Sequence, residues 1–265
     1  MKGDCLMKVE MMEITSQNLL APKIYEMTLK GELVKEMGQP GQFLHLRVPD
    51  NSLLLRRPIS INDINQEEGT CRIIYRVEGD GTRVFSEMKA GDLVDVMGPL
   101  GNGFVLDHLN EGDVAFVIGG GIGIPPLYEL SKQLVARKIK PIHFLGYASK
   151  EVLYYEDEFK ALGPTYIATD DGTHGTHGNV GHLFDLTSET PAAVFSCGSN
   201  GLLKAVEAKF FEAVDNVQLS LEARMACGMG ACYACVMKLK DDETGMKSIK
   251  VCDEGPVFPA GKVVL

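Results

Sequence analysis

Hydrophobic and polar positions change their rhythm once along this chain, close to residue 105. Before that point KIYEMTLKG, GQFLHLRV, RRPISIND, TCRIIYRVEG and GDLVDVMGPLG are short, partly alternating runs rich in β-branched residues and divided by Gly, Pro, Asn or Asp. Such runs predict strands, and several at regular spacing predict a small antiparallel β-barrel. After GNGF the period differs. DVAFVIGGGIGI is a continuous apolar run ending in glycines, and PPLYELSKQLVARK follows with Leu127, Leu130 and Leu134 at helical spacing. The two prolines suit a helix entrance, where first-turn N–H groups lack intrahelical partners. KPIHFLGYAS, TYIATDDG and AAVFSCGSN predict three further buried strands, and GLLKAVEAKFFEAV a second helix. Strands alternating with helices predict a parallel sheet whose ligands sit beyond the carboxyl ends of its strands. The expected fold class is multidomain β plus α/β: a barrel over 1–104, an α/β nucleotide domain over 105–215, and a small cysteine-bearing unit over 216–265.

Composition narrows the function. The formal charge of −10 and pI near 5.1 repel phosphate backbones and anionic lipid, so small molecules and proteins are the expected partners, with no nucleic acid and no membrane. Asp4, Glu10 and Glu13 interrupt the start, where a signal peptide needs an unbroken apolar segment. The longest uncharged stretch, Val114 to Tyr128, holds four glycines and two prolines and is too short for a bilayer. The expectation is a cytoplasmic protein, in which clustered cysteines bind metal or do redox work. Cys5 and Cys71 are isolated and read as plain surface or core residues, since free cysteine packs as a small hydrophobe.

The other thiols carry a pattern. Cys227, Cys232, Cys235 and Cys252 stand at C-x4-C-x2-C-x16-C, whose first part is the plant-type ligand spacing of a 2Fe-2S cluster. A chain wrapping two irons must bring backbone N–H groups to the sulfurs, and Gly228, Gly230, Ala231 and Ala234 permit that approach. A structural zinc is the alternative, although zinc sites usually place paired thiols on two separate knuckles. A plain tight bend is the other. The sixteen-residue interval is short for a free-standing ferredoxin and suggests an appended unit.

A cluster passes single electrons, so another group must exchange pairs. In LLRRPISIND, Arg57 and Ser60 could bring a guanidinium fork and a hydroxyl to a flavin and its pyrophosphate; a barrel strand with surface arginines is the alternative. IYRVEGDGT adds Arg76, Gly79, Gly81 and Thr82, either an anion cradle or an ordinary hairpin turn. Gly119, Gly120, Gly121 and Gly123 follow a strand and open a helix, as a pyrophosphate-binding loop does. Pro125 and Pro126 occupy the closing positions of the dinucleotide fingerprint, which argues against a strict Rossmann dehydrogenase.

RPIS in a barrel, GGGIGIPPL opening an α/β domain, FSCGSN near its end and a cysteine loop behind it resemble the ferredoxin-NADP reductase superfamily. Within it, LRRPISI and CGMGACYAC with VCDEGPVF are similar to the electron-transfer subunits of NAD-linked (B-type) dihydroorotate dehydrogenase. The resemblance implies that Arg57, Pro58, Ile59, Ser60, Ile74, Tyr75, Arg76, Gly81 and Thr82 line FAD, and that Cys227, Cys232, Cys235 and Cys252 hold the cluster. It implies an NAD domain and an FMN-containing catalytic partner that oxidises dihydroorotate in pyrimidine biosynthesis, two copies of each forming a heterotetramer. Flavin-to-nicotinamide transfer needs stacked rings and no protein acid or base, so no catalytic residue is expected. Cys197 reads as either a nicotinamide-pocket residue or core packing. Asp170 and Asp171 are possible nucleotide neighbours, and Ser149 and Lys150 meet a 2'-phosphate or water. His174 and His177 read as a polar loop rather than a metal site, since no acidic or thiol partner sits at useful spacing, and Met225, Met229 and Met237 as packing around the cluster or a partner-facing surface. The rival readings are a flavin and cluster subunit of an NADPH-ferredoxin oxidoreductase or sulfide dehydrogenase, and a zinc-stabilised binding module.

Overall fold

The computed structural model describes residues 8–242, 244 and 246–265; Asp4 and Cys5 lie outside them. Strands β1 (Lys8–Ala21), β2 (Ile24–Lys30), β3 (Phe43–Leu46), β4 (Arg57–Asn65), β5 (Thr70–Arg76) and β6 (Leu93–Leu100) close into an antiparallel barrel in the order β1-β2-β5-β4-β3-β6. This Greek-key order leaves no unpaired edge. Its interior is filled by Met12, Ile14, Met27, Leu44, Leu46, Ile73 and their neighbours, and Cys71 is one of these buried side chains.

Two barrel elements escaped the pattern reading. In β1, Met12 and Ile14 point inward, but Val9, Met11 and Leu19 are exposed and blur the alternation. The segment after Gly79 is no hairpin turn. It opens helix α1 (Asp80–Glu87), with Thr82 at the third position accepting the Gly79 N–H through Oγ1 at 3.3 Å.

The second layer is a sheet of β7 (Val114–Gly120), β8 (Lys140–Tyr147), β9 (Thr165–Thr169), β10 (Thr176–His177), β11 (Ala193–Cys197) and β12 (Val217–Ser220), all parallel. Helices α2 (Pro126–Ala136) and α3 (Glu156–Leu162) cover one face through Leu127, Leu130, Leu134 and Phe159. Helix α4 (Asn200–Phe210), capped by Ser199 Oγ accepting from Leu202 N, covers the other through Leu203, Val206 and Phe210.

Beyond β12 the chain forms a two-stranded ribbon of β13 (Val236–Lys238) and β14 (Ser248–Lys250), the short helix α5 (Val251–Glu254), and β15 (Val257–Pro259). Strand β15 returns to the large sheet, antiparallel to β12. The sheet therefore takes strands from both sides of residue 215.

The three parts share one apolar cluster. Phe43, Met97 and Leu100 on the outside of the barrel pack with Phe116 and Ile118 of the sheet and with Cys235, Cys252 and Phe258 of the C-terminal unit. Each such side chain contributes about 1.5–3 kcal/mol on full burial, so the cysteine unit is fixed against the barrel wall. Among the described residues no helix is long and apolar enough to cross a membrane.

Candidate functional site

Strand β4 carries the RPIS segment along the barrel. Its register with β3 sets Ser60 opposite Phe43, Ile59 opposite Leu44 and Pro58 opposite His45. Leu44 fills the barrel, so Pro58 and Ser60 share the outer face with Phe43 and His45. Arg56 clamps this region: Nη1 donates to the carbonyls of His45 and Asp95, both at 3.1 Å, and Nη2 to Asp95 Oδ1 at 2.8 Å.

Arg57 instead reaches the first turn of α1. A Cβ on Gly81 would lie 2.5 Å from Arg57 Nε, so glycine is what lets the guanidinium sit against that turn. The fold thus joins Arg57, Gly81 and Thr82 at a helix start. Arg76 emerges beside them and donates from Nε to Glu78 Oε1 at 2.6 Å. Ile74 points toward the sheet, with Ile124 in its cluster. Tyr75 lies inside the barrel, its ring 5.9 Å from that of Tyr25 and its hydroxyl donating to Gln17 Oε1 at 3.2 Å. Any contact from Tyr75 to a molecule on the outer face is through its main chain.

The strand order of the sheet reverses at β7, because β8 and β11 flank it on opposite sides. Gly119 and Gly120 end β7, and Gly121 to Gly123 form a single 3-10 turn ahead of α2. Gly123 packs on the main chain of Cys197, whose oxygen would be 2.5 Å from a Cβ there. Tyr154, which pattern reading passed over, donates its hydroxyl to Gly121 O at 2.9 Å.

Farther along, a cavity of about 540 Å³ beyond β8 and β9 is lined by Ser149, Lys150, Glu151, Asp171 and Thr173. Asp170 instead joins the turn through its N–H to Tyr147 O. His174 does have an acidic partner, contrary to the sequence expectation. Its Nε2 is 3.0 Å from Glu156 Oε2, brought in from the start of α3 by tertiary packing rather than by local spacing. His177 is exposed on β10.

The four cysteines come together as two pairs. Antiparallel register sets Val236 opposite Lys250, and Val251 N donates to Cys235 O, so the ribbon brings Cys235 Sγ within 3.3 Å of Cys252 Sγ. This pairing accounts for the sixteen-residue interval. Cys227 and Cys232 form the other pair within the loop, where the N–H groups of Met229 and Cys232 point at Cys227 Sγ, at 3.4 and 3.3 Å. Gly230 N donates to Cys252 Sγ at 3.2 Å.

Burial raises the Cys227 thiol, but the N–H groups of Cys232 and Met229 outweigh it and bring it down to about 7. Burial, followed by the hydrogen bond with Cys235, pushes Cys252 up to about 12. Among the described residues no three His, Cys, Asp or Glu side chains are placed to hold one metal ion. Met225 and Met237 pack against the adjoining core, and Met229 is exposed.

One residue beside the loop was missed. His45 in FLHL is completely buried, and among the described residues neither ring nitrogen has a hydrogen-bond partner. Burial foremost, then the Arg56 charge, push it down to about 4, against smaller opposing effects from the main chain of Arg56 and Cys227. The available signal was a histidine between two leucines on a strand.

Comparison with known proteins agrees with this geometry. Residues 7–104 match the family described as oxidoreductase FAD-binding domain, and residues 222–264 the iron-sulfur cluster binding domain of dihydroorotate dehydrogenase B. The dihydroorotate dehydrogenase B (NAD(+)) electron transfer subunit of Enterococcus faecalis is 60% identical over 261 residues, covering 97% of this chain and 99% of the relative. That of Streptococcus thermophilus is 50% identical over 257 residues, with 97% and 99% covered. A solved structure of an NADH-dependent reduced ferredoxin-NADP oxidoreductase superposes with a TM-score of 0.83 at 28% identity, covering 100% of this chain and 91% of that one. Identity of this level over almost the whole length of both chains, with a matching iron-sulfur domain at the end that carries the paired thiols, shows that the chain belongs to the family of dihydroorotate dehydrogenase B (NAD(+)) electron transfer subunits.

Proposed function

We propose that this chain is the electron-transfer partner of an FMN-containing subunit that oxidises dihydroorotate, and that it works in the cytoplasm, delivering the electrons to NAD(+). The observation that carries this reading is the placing of two thiol pairs, with main-chain N–H groups directed at their sulfurs, against the outer face that bears Pro58 and Ser60.

The donor set fits a 2Fe-2S cluster held by Cys227, Cys232, Cys235 and Cys252. Two sulfurs for each of two metal atoms suit this arrangement better than four round one zinc, and N–H groups aimed at sulfur favour thiolates. The FAD site is Arg57, Pro58, Ile59, Ser60, Ile74, Tyr75, Arg76, Gly81 and Thr82. The Arg57 fork and the first-turn N–H groups of α1 hold pyrophosphate, and the Ser60 hydroxyl is free to meet the ring on the outer face.

NAD(H) is received at the strand reversal, over Gly119, Gly120, Gly121 and Gly123, with Tyr154 fixing the turn. When bound, the cluster supplies one-electron exchange and FAD couples it to two-electron exchange with nicotinamide. The protein's own contribution is to orient these groups and exclude water from the sulfurs, in part through Met225 and Met237.

The test is anaerobic co-purification with the catalytic subunit, followed by flavin and iron assay and by dihydroorotate-dependent reduction of NAD(+). A complex with neither iron nor flavin, or without transfer, defeats the reading. The likeness to the ferredoxin-NADP oxidoreductase structure supports a second one, in which the partner is a further flavoprotein bearing additional clusters. Identification of the co-purifying subunit separates the two.

A further inference from the structure

Buried imidazole nitrogens without partners are rare, and each needs an explanation. His45 sits on the outer face of β3 between Pro58 of β4 and Met97 of β6. Over it lies the cysteine loop. Gly228, next to Cys227, has φ +71°, and a Cβ there would be 2.4 Å from His45 Nδ1. Any side chain at position 228 would lift the loop from the imidazole, so the fold holds the ring against the segment that carries the first pair of thiols.

The groups round the ring leave few acceptors. The Arg56 guanidinium can only donate, and it is spent on the His45 and Asp95 carbonyls and the Asp95 carboxylate. Pro58 and Met97 side chains offer no strong acceptor. The main chains of Arg56 and Cys227 are both close, yet neither ring nitrogen meets hydrogen-bond geometry with either. The further acceptor chemistry that the overlying loop carries is sulfur, beginning with Cys227 next to Gly228.

We infer that His45 donates a ring N–H to the sulfur shell of the cluster held by Cys227, Cys232, Cys235 and Cys252, linking the strand beside the flavin segment to the cluster and raising its reduction potential. This rests on the cluster assignment above. An N–H directed at sulfur favours the reduced, more negative state, so its loss lowers the potential. The role is one of positioning and tuning; no proton or covalent bond is exchanged.

The test uses the complete complex with its catalytic partner. Redox titration followed by electron paramagnetic resonance should place the His45→Leu cluster at a more negative potential than wild type, with iron and FAD content unchanged. His45→Gln, which retains an N–H, should recover part of the shift. Pulsed resonance on wild-type complex grown with nitrogen-15 histidine gives a reading independent of any variant. It should detect a histidine nitrogen coupled to the reduced cluster, and the other five histidines all lie between residues 108 and 182, outside the barrel and the cysteine unit.

A loaded His45→Leu cluster at the wild-type potential overturns the inference and leaves His45 as a packing residue under the Cys227 main chain. So does the absence of histidine coupling in wild type. Wild-type complex that contains no iron overturns the cluster assignment itself, and the inference with it.

Discussion

Gly81 and Arg57 meet so closely that a Cβ on the glycine would lie 2.5 Å from the arginine Nε and 2.9 Å from Cζ. Gly81 is the second residue of α1, a position where alanine ordinarily favours a helix by about 0.5–1 kcal/mol. Gly81→Ala should therefore fold at least as well while displacing the guanidinium. The expected result is FAD affinity weakened about tenfold, or about 1.4 kcal/mol, with iron content unchanged. Flavin fluorescence released on dialysis measures it. Undiminished retention would remove Arg57 from the flavin site.

Cys232 contributes both a thiol and the N–H that reaches Cys227 Sγ. Cys232→Ser keeps the N–H and replaces the soft sulfur by oxygen, which separates ligation from loop geometry. Iron assay and the visible spectrum should show no cluster, and dihydroorotate-to-NAD(+) transfer should be abolished while FAD stays bound. Retained transfer would refute the ligand set.

The contrast between Cys235 and His45 shows what pattern reading can and cannot reach. Cys235 belongs to a spacing of four thiols whose chemistry is local, and the ribbon register merely realises it. The strands of RPISIND and DVAFVIGG were legible for a similar reason, since period and glycine placement are properties of adjacent residues. His45 carries no such signal. Its meaning comes from Gly228, more than 180 positions away and brought over it by packing of the C-terminal unit against β3. Strand β1 and helix α1 were missed because exposed apolar residues disguised one and Gly79 and Gly81 suggested a turn in the other. The Glu156 partner of His174 was invisible because 18 residues and an intervening strand separate them.

Barrel and sheet are joined by a buried polar knot. The Tyr155 hydroxyl donates to Glu26 Oε2 at 2.5 Å and stands 3.0 Å from Asn62 Oδ1, while Asn62 Nδ2 donates to Pro125 O at 3.0 Å. Tyr155→Phe preserves the ring and leaves the Glu26 carboxylate short of a donor, apart from Arg72 at 3.5 Å. Stability should fall by about 1–3 kcal/mol, seen as a lower thermal midpoint of the flavin-loaded protein at unchanged FAD stoichiometry. An unaltered midpoint would mean that Arg72 alone satisfies Glu26.

His143 supplies a pH prediction away from the thiols. It is buried on β8 with Nδ1 3.0 Å from Thr165 Oγ1 and Nε2 3.0 Å from Ser131 Oγ, and burial pushes it from 6.5 down to about 4. Between those values the unfolded chain binds a proton that the folded one refuses, so stability falls as pH falls and is fully regained above about 6.5. The difference of about 2.5 units corresponds to about 3 kcal/mol at most, at 1.36 kcal/mol per unit. Urea titrations of wild type and His143→Gln at several values between pH 4 and 7 should show the two curves converging toward the acid end, because glutamine takes up no proton in either state. Parallel curves over that range would show that the folded and unfolded chains take up this proton alike, so that burial does not hold the imidazole below its ordinary value.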